Sequence, residues 1–233
     1  MIETNNFEKV LDQIMYHFNP CKTEQLIKVL TNSFANVSTQ KAYEILYAYE
    51  LNGNVLLSED GWAMTKGKYL QVSGDSKEDF IKYDQNVRIP PMENIINRQC
   101  DTELKYINCL WVLISFLPES LDFSDMSKPF HLSFMGKIKS KNTNKTVNKL
   151  IEVIDIKADY EDIKIEQIKA SPQLPDDEEI KKSIRRIAII ENEKHAWKVP
   201  ERIGFTHVVT IDDSTASHFR VVEDRKKMGK AIW

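Results

Sequence analysis

The stretch Glu50–Thr65, ELNGNVLLSEDGWAMT, contains two short apolar runs separated by a polar turn. The runs are VLL and WAM, and the turn between them is Ser58, Glu59, Asp60 and Gly61. A glycine that follows an aspartate readily takes the positive φ of a tight turn. This stretch therefore predicts a two-stranded β-hairpin.

The residues before the hairpin carry three segments with helical spacing. In the first, apolar residues recur three and four positions apart up to Asn19-Pro20 and form one face: Phe7, Val10, Leu11, Ile14, Met15 and Phe18. The second, TEQLIKVLT, turns Leu26, Ile27 and Leu30 inward and offers Thr23 as its cap. Two helices are therefore expected before residue 32.

A third helix is expected between a polar break and Asn52-Gly53. Ser38 or Thr39 is suited to cap it. Its inward residues are Ala42, Ile45, Leu46 and Tyr49. Three short helices followed by a hairpin predict a winged helix-turn-helix domain over residues 1–72, with the third helix in the recognition position and the hairpin as the wing.

Residues 73–128 predict a helical connector. Ile89-Pro90-Pro91 cannot continue a helix and indicates a hinge. Beyond it, Ile95–Phe116 has a helical pattern that ends in an apolar segment. The longest apolar run, CLWVLISFL, is far shorter than the roughly 20 residues that cross a bilayer, so we expect a buried helix and no membrane association.

Residues 129–233 have the spacing of β-strands and predict a mixed α/β sheet domain. PFHLSFMGKI and KLIEVIDIK are expected to pair across a polar loop, and RRIAIIE, apolar on both faces, is expected to be central. HVVTID predicts a further strand, HFRVV an edge strand, and DDEEIKKSI a helix before the central strand. The overall prediction is an α+β chain.

The order of these segments resembles an uncharacterised family of winged-helix proteins carried by conjugative and other mobile elements of Gram-positive bacteria. Members of that family pair a winged helix with a small α/β domain of nuclease-like topology. The resemblance rests on the wing, LWVLISF, PFHLSF, RRIAIIE and HVVTID. It implies a role in DNA mobility, replication or its regulation, and it implies no catalytic residue.

If the third helix reads double-stranded DNA, its exposed side chains and the cations beyond the wing are the candidate contacts. Gln40 and Lys41 are placed to reach base edges or phosphates, and Tyr47 a phosphate. The full candidate set is Ser38, Thr39, Gln40, Lys41, Tyr47, Lys66 and Lys68. The alternative for the same residues is an ordinary solvated helix face.

The charge of residues 1–72 opposes DNA binding, because affinity for DNA comes largely from neutralising phosphates. These residues include six Lys or Arg against eight Asp or Glu, and Glu59 and Asp60 occupy the wing tip. An acidic module that binds a basic protein partner is therefore the second hypothesis. Homodimerisation, or a basic cluster of Arg225, Lys226, Lys227 and Lys230, would add contacts to DNA.

The remaining motifs predict no enzyme, cofactor or metal. Asp155 and Lys157 have the spacing of a restriction-type nuclease, so a metal-dependent nuclease is a further alternative, although the preceding strand supplies no second acid. His131, His207 and His218 lie on separate predicted strands without metal-ligand spacing, and the three cysteines form no CxxC pair. The start of the sequence has no signal-peptide pattern, so a cytoplasmic location is expected.

Overall fold

The computed structural model describes residues 2–74, 91–116, 130–139, 146–156, 184–199, 204–212 and 218–225. These residues form a mixed α+β structure with six α-helices and two β-sheets. The chain divides into two compact units, Met1–Ile107 and Asn108–Trp233. The boundary falls inside the segment assigned above to a helical connector.

The described residues of the N-terminal unit form five helices, three short strands and the start of a sixth helix. In chain order these are α1 (Ile2–His17), β1 (Cys21–Lys22), α2 (Thr23–Ser33), α3 (Thr39–Leu51), β2 (Leu56–Leu57), β3 (Trp62–Met64), α4 (Lys66–Ser73), α5 (Glu93–Gln99) and α6 (Asp101–Phe116). The helical pattern over Ile95–Phe116 thus belongs to two helices that are separated at Cys100.

The predicted hairpin is confirmed. β2 and β3 pair antiparallel, with Leu56 opposite Met64, and Gly61 has a φ of 80° in the turn. β1 pairs with the other side of β3, so the strand order is β1-β3-β2. Sequence periodicity did not reveal β1, because two residues are too few to show an alternation.

The first three helices are present, and the inward-facing residues are largely as expected. Leu11, Ile14, Met15 and Phe18 of α1 and its extension are buried, as are Leu26, Ile27 and Leu30 of α2. The cap expected at Thr23 is wrong, because α2 begins at that residue and Lys22 precedes it as N-cap. The Gln25 side chain takes over the capping by accepting a hydrogen bond from the Lys22 amide (2.9 Å).

The C-terminal unit contains a five-stranded sheet. Its elements after α6 are β4 (Leu132–Lys139), β5 (Thr146–Asp155), β6 (Ile184–Ile190), a 3₁₀ helix (Glu193–Lys198), β7 (His207–Ile211) and β8 (Phe219–Asp224). The strand order is β4-β5-β6-β7-β8, with β5, β6 and β7 parallel and the two outer strands antiparallel to their neighbours.

The predicted arrangement of these strands is confirmed at three points. β4 pairs with β5, β6 is central, and β8 pairs with β7 at an edge of the sheet. Side chains on both faces of β6 are buried, including Ile187, Ala188, Ile189 and Ile190, because both faces of a central parallel strand are covered.

Several predicted features lie outside the described residues. They are most of the DDEEIKKSI helix, the loop between β4 and β5, Ile89-Pro90, Lys157, and Lys226, Lys227 and Lys230. Within the described part of the chain, no helix is long and apolar enough to cross a membrane.

Candidate nucleic-acid interface

Helix α3 is held firmly by its buried face and by both of its ends. The Ser38 hydroxyl caps it by accepting a hydrogen bond from the Lys41 amide (3.2 Å), which decides between the two predicted caps. The Tyr49 hydroxyl donates to Asp12 Oδ1 of α1 (2.5 Å), and the Asn52 side chain donates to Glu8 Oε1 (3.1 Å). The outer face of α3 is therefore presented by a fixed helix.

The predicted contact residues of α3 are exposed. Thr39, Gln40, Lys41 and Tyr47 all reach solvent, whereas the Ser38 hydroxyl is already engaged as the cap. Of the seven predicted residues, five therefore share one helix and its cap.

Two further exposed residues of α3 were missed from the sequence. Tyr43 and Leu51 are 52% and 70% exposed, and Tyr47 between them is 59% exposed. Residues four apart lie on one side of an α-helix, so they form a stripe, which we call the apolar stripe. The four-residue spacing from Tyr47 was the signal that would have identified the other two.

The one basic residue of α3 is paired with an acid. Lys41 Nζ lies 3.1 Å from Glu44 Oε2, and both side chains are more than half exposed. The hydrogen bond from Lys41, and then its charge, lower the pKa of Glu44, with a smaller contribution from the Gln40 side chain. Glu44 therefore remains ionised and orients its two neighbours.

The acidic tip of the hairpin is partly engaged within the protein. The Asp60 carboxylate accepts hydrogen bonds from the Ser58 hydroxyl and from the backbone amide of Glu93 (2.7 Å). Although burial raises the pKa of Asp60, these hydrogen bonds outweigh it and hold the pKa below its usual value. Only Glu59 is an exposed acid of this tip.

The cations beyond the hairpin belong to another helix. Lys66 and Lys68 lie in the first turn of α4 and are half-buried, and Thr65 caps that turn by accepting from the Lys68 amide (3.4 Å). Lys22 of β1 places its Nζ 3.5 Å from the centre of the Trp62 ring. The hairpin region thus holds three lysines, and the ring of Trp62 already engages one of them.

The carboxylate of the nuclease alternative is buried. Asp155 is 1% exposed and accepts a hydrogen bond from Asn108 Nδ2 (2.5 Å), while its amide donates to His131 Nδ1 (3.0 Å). Glu152 lies on the other face of β5 and pairs with Arg186, as the alternation of a strand requires. The Asp155 side chain is therefore enclosed and already hydrogen-bonded in this conformation.

The three histidines are not brought together. His207 lies opposite Asp224 at the start of β7, whereas the His218 carbonyl accepts from the Asp212 amide just beyond the end of that strand. His218 also stacks on Trp111, with ring centres 4.0 Å apart. Among the residues described, no three His, Cys, Asp or Glu side chains are grouped to hold a metal ion.

Arg225 does not belong to a solvated basic cluster. It is 1% exposed, and its guanidinium donates to the Val199 carbonyl (2.8 Å), the Ala196 carbonyl (3.3 Å) and Glu223 Oε2 (2.9 Å). The expectation that it contributes phosphate contacts is therefore wrong, because its donors are committed inside the C-terminal unit.

An open cleft of about 390 Å³ lies at the carboxyl ends of β6 and β7. Arg220 and Glu193 form an ion pair beside it (2.6 Å). Its lining is of mixed charge: Glu191, Asn192, Glu193, Lys194, Thr210, Ile211, Asp212 and Arg220. The lining thus contains three acidic and two basic side chains.

Within the described part of the chain, the outer face of α3 brings together the predicted contact residues Gln40, Lys41 and Tyr47 and the apolar stripe. Comparison with family models, with curated proteins and with solved structures finds no significant match to this chain.

Proposed function

We propose that residues 1–72 form a winged helix-turn-helix domain that binds double-stranded DNA through α3. The observation that carries this proposal is the element order α1-β1-α2-α3-β2-β3, combined with the strand order β1-β3-β2. In this topology a hairpin flanks a helix whose outer face is free for the major groove. The firm attachment of α3 to α1 supports the same role.

The chain as a whole is proposed to be a regulatory or accessory DNA-associated protein without catalysis of its own. The resemblance to mobile-element proteins supports a role in DNA mobility, replication or its regulation. The burial of Asp155 supports a non-catalytic role for the C-terminal unit, to which we assign a nuclease-like topology. Dimerisation would double the small number of phosphate contacts.

A second candidate function, docking to a protein partner, is favoured by one specific observation. The apolar stripe leaves Tyr43, Tyr47 and Leu51 exposed, and aromatic residues are enriched at the centres of protein interfaces. The pairing of Lys41 with Glu44 also reduces the attraction of α3 for phosphate. The two candidates predict opposite results in a DNA-binding assay.

The test uses the full chain and a gel-shift series over duplex fragments of a mobile element at low salt. We expect retardation of at least one fragment at micromolar protein. Lys41→Glu should weaken it at least about tenfold, because a lost phosphate contact is joined by repulsion. Lys9→Glu makes the same charge change at an exposed position of α1, outside the predicted contact residues, and should alter binding less than about twofold.

Circular dichroism of each protein establishes that the fold is intact. If no fragment is retarded by the folded wild-type protein, DNA binding is rejected in favour of the protein-docking function. Equal weakening by Lys9→Glu and Lys41→Glu would reject α3 as the contact surface, because only overall charge would then matter.

A further inference from the structure

Besides the Lys41–Glu44 pair, the exposed side chains of α3 include an amide, two tyrosines and a leucine. An α-helix has about 3.6 residues per turn, so Tyr47 and Leu51, seven and eleven residues after Gln40, return to nearly the same side. Tyr43 flanks this line, and the buried residues Ala42, Leu46 and Tyr49 lie opposite.

The hydrogen-bonding capacity of this face suits adenine better than guanine. Guanine is usually read by an Arg or Lys that donates to O6 and N7, whereas adenine is read by a Gln or Asn that both donates and accepts. α3 contains no Arg, and its single Lys is held 3.1 Å from Glu44. Gln40 is exposed in the first turn, the part of a recognition helix that contacts base edges, and its side chain also interacts with Glu44.

The exposed aromatic side chains of the same face are suited to contact thymine. In the major groove only thymine presents a methyl group, and apolar side chains discriminate it by covering that group. Tyr43 and Tyr47 are more than half exposed and are therefore available for such contacts. Tyrosine provides this area at a small entropic cost because it has few rotatable bonds.

We propose that Gln40, Tyr43 and Tyr47 make the protein select A·T-rich duplex DNA through the major groove. This inference rests on the proposed DNA-binding function of α3. It adds the class of sequence that is bound and the residues that determine it. Gln40 reads adenine, and the two tyrosines cover thymine methyl groups.

The test compares four duplexes of equal length by fluorescence anisotropy with the full chain. They are an A·T-rich duplex, the same duplex with uracil in place of thymine, a G·C-rich duplex, and its counterpart with inosine in place of guanine. Uracil lacks only the methyl group. An inosine·cytosine pair keeps the major-groove pattern of G·C but has the minor-groove pattern of A·T, since it lacks the guanine N2 amine.

We expect the A·T-rich duplex to bind about tenfold more tightly than the G·C-rich and inosine duplexes, and uracil to weaken binding at least about threefold. Tyr47→Ala should reduce the difference between thymine and uracil, because only Tyr43 then remains to cover the methyl groups. The matched control is Tyr16→Ala, because Tyr16 is an exposed tyrosine of α1, and it should leave that difference intact.

The outcomes separate this inference from the function on which it rests. Absence of binding to all four duplexes and to the genomic fragments would reject DNA binding itself. Equal affinity for all four would retain DNA binding and overturn the inference. Equal affinity for the A·T-rich and inosine duplexes would also overturn it, because the minor groove would then be read.

Discussion

At the scale of single residues, a buried ion pair in the C-terminal unit carries a high cost of desolvation. Arg186 Nε lies 2.7 Å from Glu152 Oε2, and each side chain is only 6% exposed. The two residues face each other on β5 and β6, and the Arg186 guanidinium also lies 5.1 Å from the Phe130 ring. Each charge is tolerated inside the sheet because the other compensates it.

Replacing one partner should therefore be worse than replacing both. Glu152→Gln leaves the Arg186 charge uncompensated and should lower the free energy of unfolding by about 3–5 kcal/mol. The double variant Glu152→Met, Arg186→Met should lose less than Glu152→Gln alone. Urea denaturation followed by circular dichroism measures both, and a double variant less stable than the single one would contradict this account.

The lowered pKa of Asp60 predicts how the stability of the protein depends on pH. Its folded-state pKa is lowered, so its contribution to stability is complete above its unfolded pKa of about 3.9 and is lost as the pH falls through the folded value. Asp60→Asn should accordingly lower the Tm at pH 6, and the difference from wild type should shrink towards pH 3. A difference that stays constant over this range would show that ionisation of Asp60 is irrelevant.

At the scale of elements, the packing of β4 depends on a glycine. A Cβ atom at Gly136 would lie 3.0 Å from Ile151 Cγ1 and 3.3 Å from both Phe116 Cβ and Phe134 Cε2. A side chain at this position of β4 would therefore require these neighbours to shift by a few tenths of an ångström, and atoms in a close-packed core resist such a shift.

Gly136→Ala should destabilise the protein by about 1–3 kcal/mol through overpacking. Gly67→Ala in α4 is the matched control, because nothing lies within 4 Å of a Cβ there. The control should be neutral or gain up to about 1 kcal/mol from the higher helix propensity of alanine. Thermal denaturation of both variants checks the pair, and equal effects would contradict the packing explanation.

At the scale of the whole molecule, the net charge is −3, and we expect the affinity for DNA to fall only gently as the salt concentration rises. The slope of log K against log salt is about −0.9 per neutralised phosphate. With Lys41 as the only basic residue of α3, we expect a slope no steeper than about −3 between 50 and 200 mM salt. Anisotropy titrations measure it, and a slope near −6 would show that cations away from α3 dominate.

The sequence by itself determined the main elements of both units. Short apolar runs with strand spacing identified β4 to β8, and the turn at Gly61 identified the hairpin, because these signals are local properties of the chain. The exposed polar residues of α3 were predicted for the same reason. The Lys41–Glu44 pair was also predictable, since residues three apart are neighbours on any α-helix.

Only the tertiary structure decided which side chains remain available for binding or catalysis. Asp155 and Arg225 are residue types that often serve in functional sites. Asp155, however, is enclosed beside Asn108, and Arg225 donates to backbone carbonyls of the C-terminal unit. The pairing of β1 with β3 likewise joins segments about forty residues apart in sequence. Local patterns show which face of an element is apolar, whereas burial and partners depend on which distant segments meet that face.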